Sequence, residues 1–144
     1  MKYIKANQFL SQSKDVQNKF LNWWKPSIGD LYTYTIENEQ DYSEVSCVTS
    51  LNVAKQTERN KGVRIPLLTE GQLRKFIEEY TKSKVMIEYT SCRNIVIKTC
   101  IEDEVTGSLR YNRKFIFPTN KFNLINSYWQ VAINIVKEQF WIIL

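Results

Sequence analysis

The sequence predicts an α+β domain: an antiparallel sheet of about five strands packed against three helices, in the order α-β-β-α-β-β-β-α. Three observations lead there. Apolar residues recur at helical spacing near the start, in the middle and at the end of the chain. The stretches rich in β-branched and aromatic residues fall in neighbouring groups, not in the strict alternation with helices that builds a parallel sheet. At 144 residues, 43% apolar and 24% charged, the chain suits one domain spanning 1–144.

The first helix is expected over Asn7–Trp24, where Phe9, Val16, Phe20, Trp23 and Trp24 share a stripe and Lys14, Gln17 and Asn18 lie away from it. Pro26 disfavours helical backbone at Lys25 and opens a turn over 26–30. Leu31–Ile36 then reads as a strand, and Glu44–Val53 as a second, less regular one. Between them lies an acidic loop holding Glu37, Glu39 and Asp41. Lys55–Arg64 is polar and basic and reads as a mobile loop.

The middle helix is the clearest element. Thr69 and Gln72 have capping-box spacing, Glu70 suits the helix dipole, and Leu73, Phe76, Ile77 and Tyr80 form one apolar stripe. Arg74–Glu78 and Lys75–Glu79 are i,i+4 pairs on its wet side. Three strands follow, at Lys84–Tyr89, Ile95–Ile101 and Leu109–Phe117, with 102–107 as a hairpin loop. In the last of them Leu109, Tyr111, Phe115 and Phe117 share a face that Arg113 interrupts, which a bulge or an edge position would accommodate. The final helix runs from Asn123 to about Gln139. The apolar run Phe140–Leu144 is expected to dock into the core or to form a homodimer contact.

Composition removes whole chemistries. The chain has no histidine, so Ser-His-Asp and Cys-His catalysis, two-His metal sites and imidazole switching are excluded. Cys47, Cys92 and Cys100 form no C-x-x-C pair and read as reduced thiols. No phosphate-cradling glycine motif and no nucleophile elbow occurs. The acidic run from Asp30 to Glu44 matches no calcium loop and reads as solvated. No metal or cofactor is expected. No secretory leader and no membrane span is read, so a soluble protein in a reducing compartment is expected, with no membrane partner.

The net charge of +5 is unevenly spread. Residues 30–50 carry five acids and no base, whereas 110–144 carry five bases and one acid. Alternation places Lys84, Lys98, Arg110 and Lys114 on the sheet face opposite the aliphatic one, with Arg113 nearby and Tyr111 and Phe115 inside. Cations among aromatics form the usual nucleic-acid surface, although an antiparallel sheet also has an ordinary wet face. Two further exteriors are candidates: the Trp23-Trp24 corner, and the basic loop with Lys55, Arg59, Lys61 and Arg64.

Two stretches carry a resemblance: Phe9–Tyr32 (FLSQSKDVQNKFLNWWKPSIGDLY) and Ile65–Glu79 (IPLLTEGQLRKFIEE), about a quarter of the chain. Both resemble small uncharacterised phage and prophage proteins of Gram-positive bacteria. The resemblance implies a phage-borne protein in the cytoplasm of a bacterial host, and brings no catalytic residues with it. By analogy it implies a non-enzymatic accessory protein that binds and blocks a host protein or nucleoprotein complex, as an anti-defence (anti-CRISPR-like) inhibitor does. Direct nucleic-acid binding through the basic sheet face is the alternative. An enzyme built on a carboxylate pair with Tyr and Lys is the third reading.

Overall fold

Serine residues divide the N-terminal third more finely than the apolar stripe predicts. In the computed structural model, which describes residues 2–35 and 44–142 with side chains to Glu138, the expected first helix is two. Helix α1 is Ala6–Leu10 and α2 is Lys14–Trp23. Ser13 caps α2 by accepting a hydrogen bond from the Val16 amide, 3.3 Å away. Gln17 is buried and serves the corner: its Nε2 donates to the carbonyls of Leu10 and Gln12, at 3.2 and 2.8 Å. A polar residue read as surface is thus the hydrogen-bonding plug of the α1–α2 bend.

The chain forms two compact units, Tyr3–Leu68 and Thr69–Leu144, each with one three-stranded antiparallel sheet. The predicted single sheet with three helices is therefore corrected, among the described residues, to two sheets with five helices. In the first unit, β1 (Leu31–Tyr34) lies between β2 (Ser46–Cys47) and β3 (Arg64–Pro66). Helix α3 (Leu51–Arg59) takes the first half of the expected mobile loop. Ser50 starts it by accepting from the Val53 amide, so the predicted strand 44–53 shrinks to two residues. β3 is too short for its alternation to show in sequence. The acidic residues Glu37, Glu39 and Asp41 lie outside the described residues.

Pro26 ends α2 as expected. In the turn that follows, Asp30 accepts from the Trp24 indole Nε1 and from the Ser27 amide, both at 3.0 Å. Gly29 holds φ +98° there, and its amide donates to the Val48 carbonyl.

The second unit follows the sequence closely. Helix α4 (Glu70–Thr81) has the predicted Thr69/Gln72 capping box, with Leu73, Phe76 and Ile77 buried. Strands β4 (Lys84–Tyr89), β5 (Asn94–Glu102) and β6 (Leu109–Pro118) stand in that order, followed by α5 (Leu124–Ile142). The core combines α4 with Val85, Ile95, Ile97 and Phe117 from the sheet and Ile125, Trp129 and Val136 from α5. The side chains of the apolar run from Phe140 lie outside the described ones.

Candidate functional site

The sheet β4-β5-β6 has two chemically different faces, and a bulge decides which residues belong to each. Register pairs Ile97 with Phe115 and Thr99 with Arg113, then skips Asn112 and pairs Cys100 with Tyr111 and Ile101 with Arg110. One extra residue on β6 reverses the parity of everything before it. Tyr111 leaves the aliphatic face and joins Lys84, Lys98 and Lys114; Arg110 leaves the cation face and joins Ile101, Ile97 and Phe115. Both reversals correct the simple alternation read from the sequence. Arg113, which seemed to interrupt the aromatic row, keeps its parity and meets Glu138 of α5 in an ion pair.

The face so formed carries Lys84, Met86 and Glu88 on β4, Val96, Lys98 and Cys100 on β5, and Leu109, Tyr111, Lys114 and Ile116 on β6. Lys98 Nζ lies 4.6 Å from the centre of the Tyr111 ring and 2.9 Å from Glu88 Oε1. The hydrogen bond to Glu88 holds the Lys98 ammonium above its ordinary pKa, helped by the nearby Tyr111. Glu88 thus offsets the central cation. Among the described residues Lys84, Arg110 and Lys114 have no ion-pair partner, and all three are exposed. Leu109, Tyr111 and Ile116 are 49%, 54% and 55% exposed.

No family model, no curated protein and no solved structure matches this chain.

The other candidate exteriors separate. Trp24 is 2% exposed and its indole is bonded to Asp30, so it is a core residue of the first unit; Trp23 is half-buried. Adjacent helical positions differ by about 100°, and only one of the two could take the core pocket. Lys55 and Arg59 are exposed on α3, while Lys61 is paired with Glu58 at 3.0 Å and its side chain is 15% exposed. Arg64 is not a loop cation. Its guanidinium lies 5.3 Å from the ring centres of both Tyr32 and Tyr34 and donates to Thr57 Oγ1 at 2.9 Å. Burial raises the pKa of the Tyr32 hydroxyl, as does the hydrogen bond with Tyr34, against a smaller lowering by Arg64. The Arg64 cluster fixes β1 to β3.

Cys47 and Cys92 are exposed, Cys100 is buried, and none is in a disulfide. Among the described residues no three Cys, Asp or Glu side chains stand close enough to share a metal ion. No described helix is long and apolar enough to cross a membrane. Sequence reasoning missed Leu109, Tyr111 and Ile116 as exterior residues. The signal was present in Arg113: a cation on a buried row marks the place where strict alternation fails.

Proposed function

We propose that this chain is a non-enzymatic binding protein of phage origin that covers a surface of a host protein or nucleoprotein complex, acting as an anti-defence inhibitor. The observation that carries the reading is the row on β6, where Leu109, Tyr111 and Ile116 stand half in water on the same face as Lys84 and Lys114. Grouped large apolar side chains in water mark interaction sites. A tyrosine among them is a typical anchor, and flanking cations steer an acidic partner towards it. The resemblance of 9–32 and 65–79 to phage proteins supplies the host context.

The test is interference with a nucleic-acid-handling defence nuclease in bacterial cells. Expression of the chain restores plaque formation by a phage that the nuclease restricts, and the double variant Tyr111→Ala, Ile116→Ala abolishes the effect while its circular dichroism matches wild type. No protection against any such defence system would refute the reading.

Nucleic-acid binding has one observation in its favour: Lys84, Lys98 and Lys114 share a face with Tyr111. Against it, Glu88 neutralises Lys98, Glu138 neutralises Arg113, and Arg110 points to the other face. Contacts to several phosphates make affinity fall steeply with salt. Tight oligonucleotide binding that is lost between 50 and 200 mM salt, about the range over which such contacts weaken, would favour this second reading.

A further inference from the structure

The two edges of the second sheet are treated differently. At the β4 edge, Arg74 Nη2 donates to the Val85 carbonyl at 2.9 Å, and Glu78 Oε2 accepts from the Val85 amide at 3.2 Å. The i,i+4 pair on α4 thus occupies both outward backbone groups of Val85, at the start of that edge. The β6 edge has no such cover. Among the described residues, no backbone group of 109–117 bonds to anything beyond β5. Every residue from Ile101 to Asn112 is exposed.

Which β6 groups face outward follows from Val85. Its backbone points away from the sheet, so its partner Thr99 points towards β6, and Thr99 with Arg113 is a hydrogen-bonded pair. Alternation then turns the N–H and C=O of Lys114 and Ile116 outward. Pro118 falls on the same outward parity, where its missing N–H breaks no ladder bond. Across the bulge Tyr111 opposes Cys100, whose backbone is turned to β4, and so Tyr111 also faces out.

We infer that β6 accepts an extended acidic segment of a partner protein as a fourth, added strand. Resting on the binding reading above, this names how the partner is held. Residues 109–118 contain Arg110, Arg113 and Lys114 and no acid. A second copy of β6 paired about Lys114 would set the two Lys114 side chains opposite one another, which is unfavourable. An acidic strand meets no such penalty, so the charge that blocks self-pairing selects the partner. The added strand presents an acidic side chain opposite Lys114 and, two residues away on the same face, an apolar one opposite Ile116. Main-chain bonds to Lys114 and Ile116 hold it, and Pro118 ends the ladder.

The test uses the full chain and three short peptides by fluorescence anisotropy: one with a central Val-Thr-Glu-Thr-Val, one with Lys for Glu, and one with the Glu sequence N-methylated at alternate residues. Expected is binding of the Glu peptide at least tenfold tighter than of either other peptide. With it, hydrogen exchange of the Lys114 and Ile116 amides slows at least tenfold. Lys114→Glu reverses the preference between the Glu and Lys peptides. Equal binding of the N-methylated peptide would show recognition by side chains of the face alone; it overturns the added strand and leaves the binding reading standing. Absence of binding by the Glu peptide, or binding without protection of those two amides, also overturns the added strand. Loss of defence interference in the Tyr111→Ala, Ile116→Ala variant is read separately and bears on the binding reading.

Discussion

The two three-stranded sheets solve one problem in different ways. Strands of four, two and three residues make the first; strands of six, nine and ten make the second. Short strands give few ladder bonds, and side chains supply the rest. Thr33 Oγ1 donates to the Glu44 carbonyl at 2.7 Å, Thr35 Oγ1 reaches the Gly62 carbonyl at 3.1 Å, and Arg64 lies against two tyrosines. The long sheet carries its own ladder and a buried aliphatic face. Among the described residues it even leaves the Thr99 hydroxyl, fully buried on β5, without a hydrogen-bond partner. Polar stitching holds the first sheet where regular pairing and apolar burial hold the second.

The largest expected effect tests the second half of that contrast. Phe76 is fully buried on α4 and stacks on Tyr80 with ring centres 5.2 Å apart. Phe76→Ala removes the ring and leaves a cavity, at a cost of about 3–5 kcal/mol, read from urea denaturation. A loss under about 1 kcal/mol would mean that the α4 core is not what stabilises this unit.

The next pair of changes uses one substitution with opposite signs. Thr33→Val on β1 removes the donor to Glu44 and destabilises by about 1 kcal/mol. Thr99→Val on β5 replaces a buried, unpartnered hydroxyl with a methyl group of similar shape and stabilises by about 1 kcal/mol. Matched thermal melts decide the sign. If both variants lose stability equally, the contrast between the sheets fails.

That contrast also explains what was legible in the sequence. Helix α4 and strands β4, β5 and β6 were readable because each is long enough to repeat its period: Leu73, Phe76 and Ile77 at helical spacing, Val85 and Ile87 at strand spacing. In the first unit β2 and β3 are too short to repeat an alternation, and one apolar stripe ran across the break between α1 and α2. Ser13 and Ser50, the caps that start α2 and α3, were the available signals, and neither stands in a capping box. The cations of the candidate face were legible as a group, because Lys84, Lys98 and Lys114 lie on the regular side of the bulge. Arg110 and Tyr111 were misplaced because one unpaired residue, Asn112, reverses every side chain before it on that strand.

The smallest effect concerns a place where the long sheet uses the short sheet's device. The hairpin joining β5 to β6 is closed by Asp103, whose Oδ1 accepts from the amides of Val105 at 2.8 Å and Thr106 at 3.2 Å, with Gly107 at φ +70°. The Val105 amide, and then that of Thr106, hold the Asp103 carboxyl below its ordinary pKa of about 3.9. A folded-state pKa below the unfolded one means that the carboxylate form favours the folded tip. The contribution is therefore complete above about pH 4 and is lost as pH falls through the lower folded-state value. Two-dimensional NMR of the Val105 and Thr106 amides should give a common midpoint below 3.9, with faster amide exchange on its acid side, and Asp103→Asn should remove the transition. A midpoint at or above 3.9 would show that the side chain does not cap the hairpin, leaving the β5–β6 ladder to set the turn unaided.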